Sequence, residues 1–139
     1  MKRVDHQRSP CPIGRGVDTI GEWWSLLIIR EAMLGVERFS QFERRLGISK
    51  NALTARLGKL VERGILAKEA DGRYRLTEAG EDLFAVMTAL RQWGDKWLFG
   101  PDHRPLAMRT RRGGKVAPVI VTDGEGHPVT MRDIALGEP

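Results

Sequence analysis

This sequence predicts a mainly α-helical fold with one small β wing, on three observations. Apolar residues recur at helical spacing through most of residues 11–100, two of the helical segments are short and joined by a glycine turn, and an Asp-Gly pair follows between two β-prone runs. Helix, turn, helix and hairpin in that order make a winged helix-turn-helix. A long C-terminal helix and a short β-hairpin tail complete the expected architecture.

Residues 1–10 are polar and end at the helix-breaking Pro10, so a flexible arm is expected there. Trp24, Leu27, Ile28 and Glu31-Ala32 keep a helical spacing, and Gly35 is placed to end that largely buried segment. Ser40 and Glu43 have the spacing of a capping box, opening a helix that runs to Leu46 and stops at Gly47. Ser49 caps the next helix, with Ile48 stapled onto Leu53, and Leu53, Leu57, Leu60 and Val61 form a single apolar stripe ending at Gly64. Ile65–Glu69 and Arg73–Leu76 then read as strands around Asp71-Gly72, a dipeptide tolerant of a tight hairpin turn.

Thr77 caps the last long helix. Gly80, Leu83, Met87, Leu90, Gly94 and Trp97 follow at intervals of 3, 4, 3, 4 and 3 residues, a heptad-like seam cut off by Gly100-Pro101. Such a helix exposes more apolar surface than so small a domain covers. Leu83, Met87, Leu90, Trp93, Gly94 and Trp97 are therefore the expected homodimer interface. Trp23, Trp24, Trp93 and Trp97 have spacings typical of core residues, with a ligand cavity as the alternative.

The winged domain thus occupies residues 11–100. Residues 101–117 carry Arg104, Arg109, Arg111, Arg112 and Lys115 against Asp102 alone and read as a basic linker. Pro118–Val121 and Val129–Met131 flank Asp123-Gly124-Glu125-Gly126, so residues 118–139 read as a β-hairpin tail too small to stand without docking.

The 139 residues include 23 Lys and Arg against 18 Asp and Glu, a formal net charge of +5 that favours a polyanionic partner. A hydrophobic fraction of 41% is enough for a core and argues against wholesale disorder. One cysteine excludes an intramolecular disulfide. With neither a secretory leader nor an apolar run of about 18 residues, a soluble cytoplasmic protein without a membrane partner is expected.

Opposite the leucine stripe, the second helix of the motif carries Asn51, Ala55 and Lys59, flanked by Thr54 and Arg56, with Ser49 and Lys50 at its start. Short polar groups there suit base edges of double-stranded DNA, while amides and cations meet phosphate. Asn51 and Arg56 have the geometry to pair bidentately with adenine and guanine respectively. Arg73 on the wing suits a phosphate or a minor groove, and Arg38 and Gln41 lie where backbone contacts are expected.

Cys11-Pro12-Ile13, the run Gly21 to Arg30 (GEWWSLLIIR), Arg38-Phe39-Ser40-Gln41-Phe42, Leu46-Gly47-Ile48 and the run Tyr74 to Gly80 (YRLTEAG) together resemble the HxlR-type winged-helix regulators. The likeness covers about residues 8 to 99 and leaves the tail outside. It implies homodimeric, MarR-like transcription factors whose terminal helices pack between subunits and whose wings flank a palindromic operator. Some members sense oxidants or electrophiles through a cysteine just before the first helix, the position of Cys11. A thiol near a helix start with Arg8 and Arg15 close in sequence is a redox-switch candidate, through an intersubunit disulfide or a small-thiol adduct.

No cofactor, metal site or enzymatic activity is expected. His6, His103 and His127 are scattered, and no G-x-S-x-G, P-loop or dinucleotide fingerprint occurs. The sequence thus reads as a DNA-binding regulator, a repressor ahead of an activator, open to a small-molecule or oxidant effector. Two alternatives stand beside it: a protein-interaction module without DNA readout, and a ligand sensor whose tail closes over a dimer-interface pocket.

Overall fold

A computed structural model describes residues 6–102, 107–135 and 137. His103, Arg104 and residues 1–5 of the expected arm lie outside the described residues. Among the described residues six helices and one hairpin follow in order: α1 (Pro12–Ile20), α2 (Trp23–Met33), α3 (Phe39–Leu46), α4 (Lys50–Glu62), β1 (Leu66–Lys68), β2 (Tyr74–Leu76), α5 (Glu78–Asp82) and α6 (Phe84–Trp97), with a short 3-10 turn at Met131–Asp133. The chain divides into two compact units between Met87 and Thr88.

The first unit is organised by the α4 stripe. Leu53, Leu57 and Leu60 have no exposed surface and pack with Ile28 and Ile29 of α2, Phe42 of α3, Ile48, and Ile65, Leu66 and Tyr74 of the hairpin. Each such side chain contributes about 1.5–3 kcal/mol by leaving water. Phe42 meets Tyr74 edge-on at 6.4 Å between ring centroids, joining α3 to the wing. The wing pairs Leu66 with Leu76, Ala67 with Arg75 and Lys68 with Tyr74, antiparallel. On its other edge, Tyr74 N–H donates to the Glu37 carbonyl at 2.8 Å. Gly72 turns the hairpin at φ 80° and Gly47 ends α3 at φ 62°, backbone angles that a side chain resists.

Four sequence expectations are corrected. The α3 cap is not Ser40 with Glu43: the cap lies two residues earlier, at Arg38, the helix starts at Phe39, and Gln41 Oε1 accepts from the backbone N–H of Arg38 (3.1 Å) and Glu37 (3.4 Å). The last helix is not continuous. Thr77 does cap its start, accepting from Gly80 N–H at 3.1 Å, but its own N–H donates to the Ile65 carbonyl and pins the first turn to the hairpin base. The chain breaks at Leu83, whose N–H donates to the Gly80 carbonyl at 3.3 Å, three residues back instead of four.

Among its described residues the tail holds a turn whose two antiparallel legs do not extend into regular strands. Its legs share one bridge, Thr122 with Pro128, because the Asp123 carboxylate gathers the N–H groups of Glu125 and His127 into a tight loop. Of the four tryptophans, only Trp24 packs against the core. Trp23, Trp93 and Trp97 are 64%, 54% and 63% exposed, so helical spacing placed them on an open face.

Candidate nucleic-acid interface

The stripe that buries α4 also fixes which residues it presents outward. Ser49 caps the helix, its Oγ accepting from Ala52 N–H at 3.3 Å. Lys50, Asn51, Thr54 and Ala55 are exposed on the first turn and a half, and Thr54 returns its hydroxyl to the Lys50 carbonyl at 2.8 Å. Short polar side chains thus sit at the positive end of a helix dipole, where base edges and phosphate are both within their chemistry. Lys59, half-buried, extends the same face.

The arginines behave differently. Arg56 is half-buried and its Nε lies 3.3 Å from Glu22 Oε2, the carboxylate that caps α2 through Ser25 N–H. Arg38 and Arg73 converge on Asp71: Arg38 donates to the Asp71 carbonyl at 2.6 Å, and Arg73 Nε lies 2.7 Å from Asp71 Oδ2. Glu37 extends the chain of charges, 3.4 Å from Arg73 and 3.6 Å from Arg75. The backbone N–H of Arg73 and then its guanidinium hold the Asp71 carboxyl below the usual range, and Asp71 in turn raises Arg73. Gln41 spends its side-chain oxygen on the start of α3.

Geometry therefore brings Ser49, Lys50, Asn51, Thr54 and Lys59 together on one helix, and Arg38 with Arg73 on one carboxylate. Arg56 is tied back toward α2. Sequence reasoning missed Asp71, Glu37 and Glu22. Asp71 was within reach, since the Asp-x-Arg spacing is readable, whereas Glu37 and Glu22 meet their partners from 36 and 34 residues away.

Cys11 is exposed and occupies the N-cap of α1. Arg15, one turn on, donates from Nε to the Ser9 carbonyl at 2.6 Å. Of the expected interface residues, Leu83 and Met87 pack against the core, Gly94 is half-buried, and Leu90, Trp93 and Trp97 are exposed. Among the described residues no helix is long and apolar enough to cross a membrane, and no three His, Cys, Asp or Glu side chains gather as for a metal.

Residues 19–100 match the family model of the HxlR-like helix-turn-helix. An uncharacterized HTH-type transcriptional regulator of Mycobacterium tuberculosis, MT3179, is 42% identical over 138 residues, covering 94% of this chain and 87% of the relative. Among solved structures, PA1607, assigned as a transcription factor, superposes with a TM-score of 0.91 at 37% identity, over 98% of this chain and 100% of that one. Quinone-bound YodB of Bacillus subtilis gives 0.58 at 31% identity, over 63% of this chain and 99% of its own.

Proposed function

Because the chain belongs to the HxlR-like helix-turn-helix family of transcriptional regulators, we propose that it is a repressor that reads a palindromic operator as a homodimer. The observation that carries this reading is the division of α4. Its leucine face has no exposed surface, while Lys50, Asn51, Thr54 and Ala55 are open at its capped start. That presentation supports a recognition helix in a major groove, with Asn51 reading adenine and Arg38 and Arg73, once released from Asp71, meeting backbone. Leu90, Trp93 and Trp97 of α6, all exposed, support a second copy as their cover. Two copies of α4 would then enter grooves about 34–36 Å apart, or a multiple.

Selection of bound duplexes from a random pool tests the reading. An inverted repeat is expected, and Asn51→Ala relaxes preference at one base position of each half-site. A pool that emerges unenriched in any sequence would falsify the proposal and favour a protein-interaction module. Steep salt dependence on duplex DNA separates the two further, because only phosphate contacts release counterions.

An effector reading is favoured by the place of Cys11. An exposed thiol at a helix start is accessible to electrophiles, and a quinone-bound structural relative supports that class. Selection repeated with a thiol oxidant, on wild type and Cys11→Ser, is expected to lose enrichment in the wild type alone.

A further inference from the structure

Residues 101–139 lie beyond the family match. YodB is covered almost completely by 63% of this chain, whereas PA1607 and MT3179 extend over nearly all of it. The tail is thus an addition shared with the longer relatives, and a function for it must come from its own residues.

Charge distribution supplies one. Every arginine from Arg30 to Arg75 except Arg44 is ion-paired to a carboxylate. In the tail, Arg109, Arg111, Arg112 and Lys115 have no ion pair among the described residues, and all are exposed. They sit on a defined turn. Arg109 bridges to Lys115, Thr110 N–H donates to the Gly114 carbonyl at 2.9 Å, and Gly113 N–H donates to the Thr110 carbonyl at 2.8 Å. Arg111 and Arg112 therefore occupy the two central positions of the turn.

The turn is also held in place. The Gln92 side chain of α6 donates to the Ala117 carbonyl at 2.9 Å and accepts from Val119 N–H at 2.7 Å, imitating a neighbouring strand. Between turn and helix lies a hollow of about 240 Å³ bounded by Arg109, Lys115, Val116, and the paired Arg91 and Asp95. An anchored loop that presents four uncompensated cations has little ordering entropy left to lose on meeting a polyanion.

We infer that the turn Arg109–Lys115 is a second DNA contact of this protein, a phosphate clamp acting on the duplex outside the bases read by α4. The inference rests on the DNA-binding reading. Phosphodiester oxygens are the chemistry that Arg109 and Lys115 at the rim of the hollow and the two central arginines would take, with Asp95 already paired to Arg91, and such contacts add affinity without sequence information.

The test uses the full chain on its selected operator with 15 flanking base pairs on each side. Affinity is measured against salt for wild type, Asn51→Ala, R111Q/R112Q/K115Q and the charge-keeping R111K/R112K/K115R. Counterion release gives about 0.9 in the slope of log K against log salt per phosphate contact, so the glutamine variant is expected to flatten it by about 2–3. Its ranking of operator variants stays that of wild type, and the lysine–arginine exchange keeps the slope. A glutamine variant with wild-type slope overturns the inference, as does loss of binding in both tail variants, which would make the turn's shape the cause. So does titration of inorganic pyrophosphate into the tail with the DNA slope unmoved, which would mark a site for a small anion. Wild type and Asn51→Ala, read alone, decide the DNA-binding reading itself.

Discussion

Removing the two arginines that face Glu31 should cost more than removing Glu31 itself. The carboxylate is 4% exposed, and it holds Arg45 of α3 on one oxygen and Arg30 on the other at 2.7 Å, while both arginines are about half exposed. Glu31→Gln releases two guanidiniums that water can solvate, so screening limits the loss to about 1–2 kcal/mol. Arg30→Ala/Arg45→Ala strands a buried charge, for which about 3–5 kcal/mol is expected. The pH dependence separates the variants by sign. Burial pushes the Glu31 carboxyl up, but hydrogen bonds from Arg45 and Arg30 and their charges hold it below the usual glutamate range. In wild type the pair's stabilisation is present above the unfolded pKa and is lost as pH falls through the folded one. Without the arginines only burial remains, the folded pKa lies above the unfolded one, and acidification relieves the penalty. Urea unfolding from pH 7 to pH 4 should therefore show the gap between wild type and the double variant closing. A Glu31→Gln loss as large as the double variant's, or a gap that widens in acid, would refute the reasoning.

Two glycines should respond in opposite directions. A Cβ on Gly80 would stand 2.3 Å from the Ile65 carbonyl, so Gly80→Ala is expected to cost about 3 kcal/mol and to lower the melting temperature by more than about 10 °C. Gly58→Ala, inside α4 with nothing within 4 Å, should stabilise by about 0.5–1 kcal/mol in the same melt. Leu57→Ala empties a site with no exposed surface and should lose about 2–5 kcal/mol in urea. Arg73→Ala should weaken all duplexes alike and flatten the salt slope by about 1, as read by fluorescence anisotropy.

What was legible in the sequence was whatever short-range chemistry decides. Ser49, Gly47 and the leucines of α4 each act on neighbours within about two turns, and α4 emerged with its boundaries and exposed face. The Asp71-Gly72 turn was readable for the same reason. The capping of α3 failed because three side chains compete there: Ser40 and Glu43 have the right spacing, but Gln41 reaches two backbone N–H groups at once. The break at Leu83 follows a first turn pinned by Thr77 to the Ile65 carbonyl, a contact at the hairpin base that no helical period encodes. Tryptophan spacing identified the right helix faces and misjudged what lies opposite them.

The least legible feature bears most directly on function. Composition shows an excess of cations, and a sequence alone invites each arginine near the motif to be spent on DNA. In the structure Arg38 and Arg73 share Asp71, and Arg56 faces Glu22, so contact with a phosphate or a guanine requires an exchange of partners. An exchange yields less net attraction than a free cation, since the carboxylate left behind must be rehydrated while it repels the incoming phosphate. At Arg56, the one of the three proposed to meet a base, it favours duplexes that reward the guanidinium with a well-placed acceptor, and so it bears on discrimination more than on affinity. On the proposed reading, the larger share of bulk affinity then falls to cations with nothing to give up, Lys50 at the helix start and the arginines of the tail that have no ion pair among the described residues. If the proposal holds, separate residues supply the two terms of recognition, and each can be removed without the other.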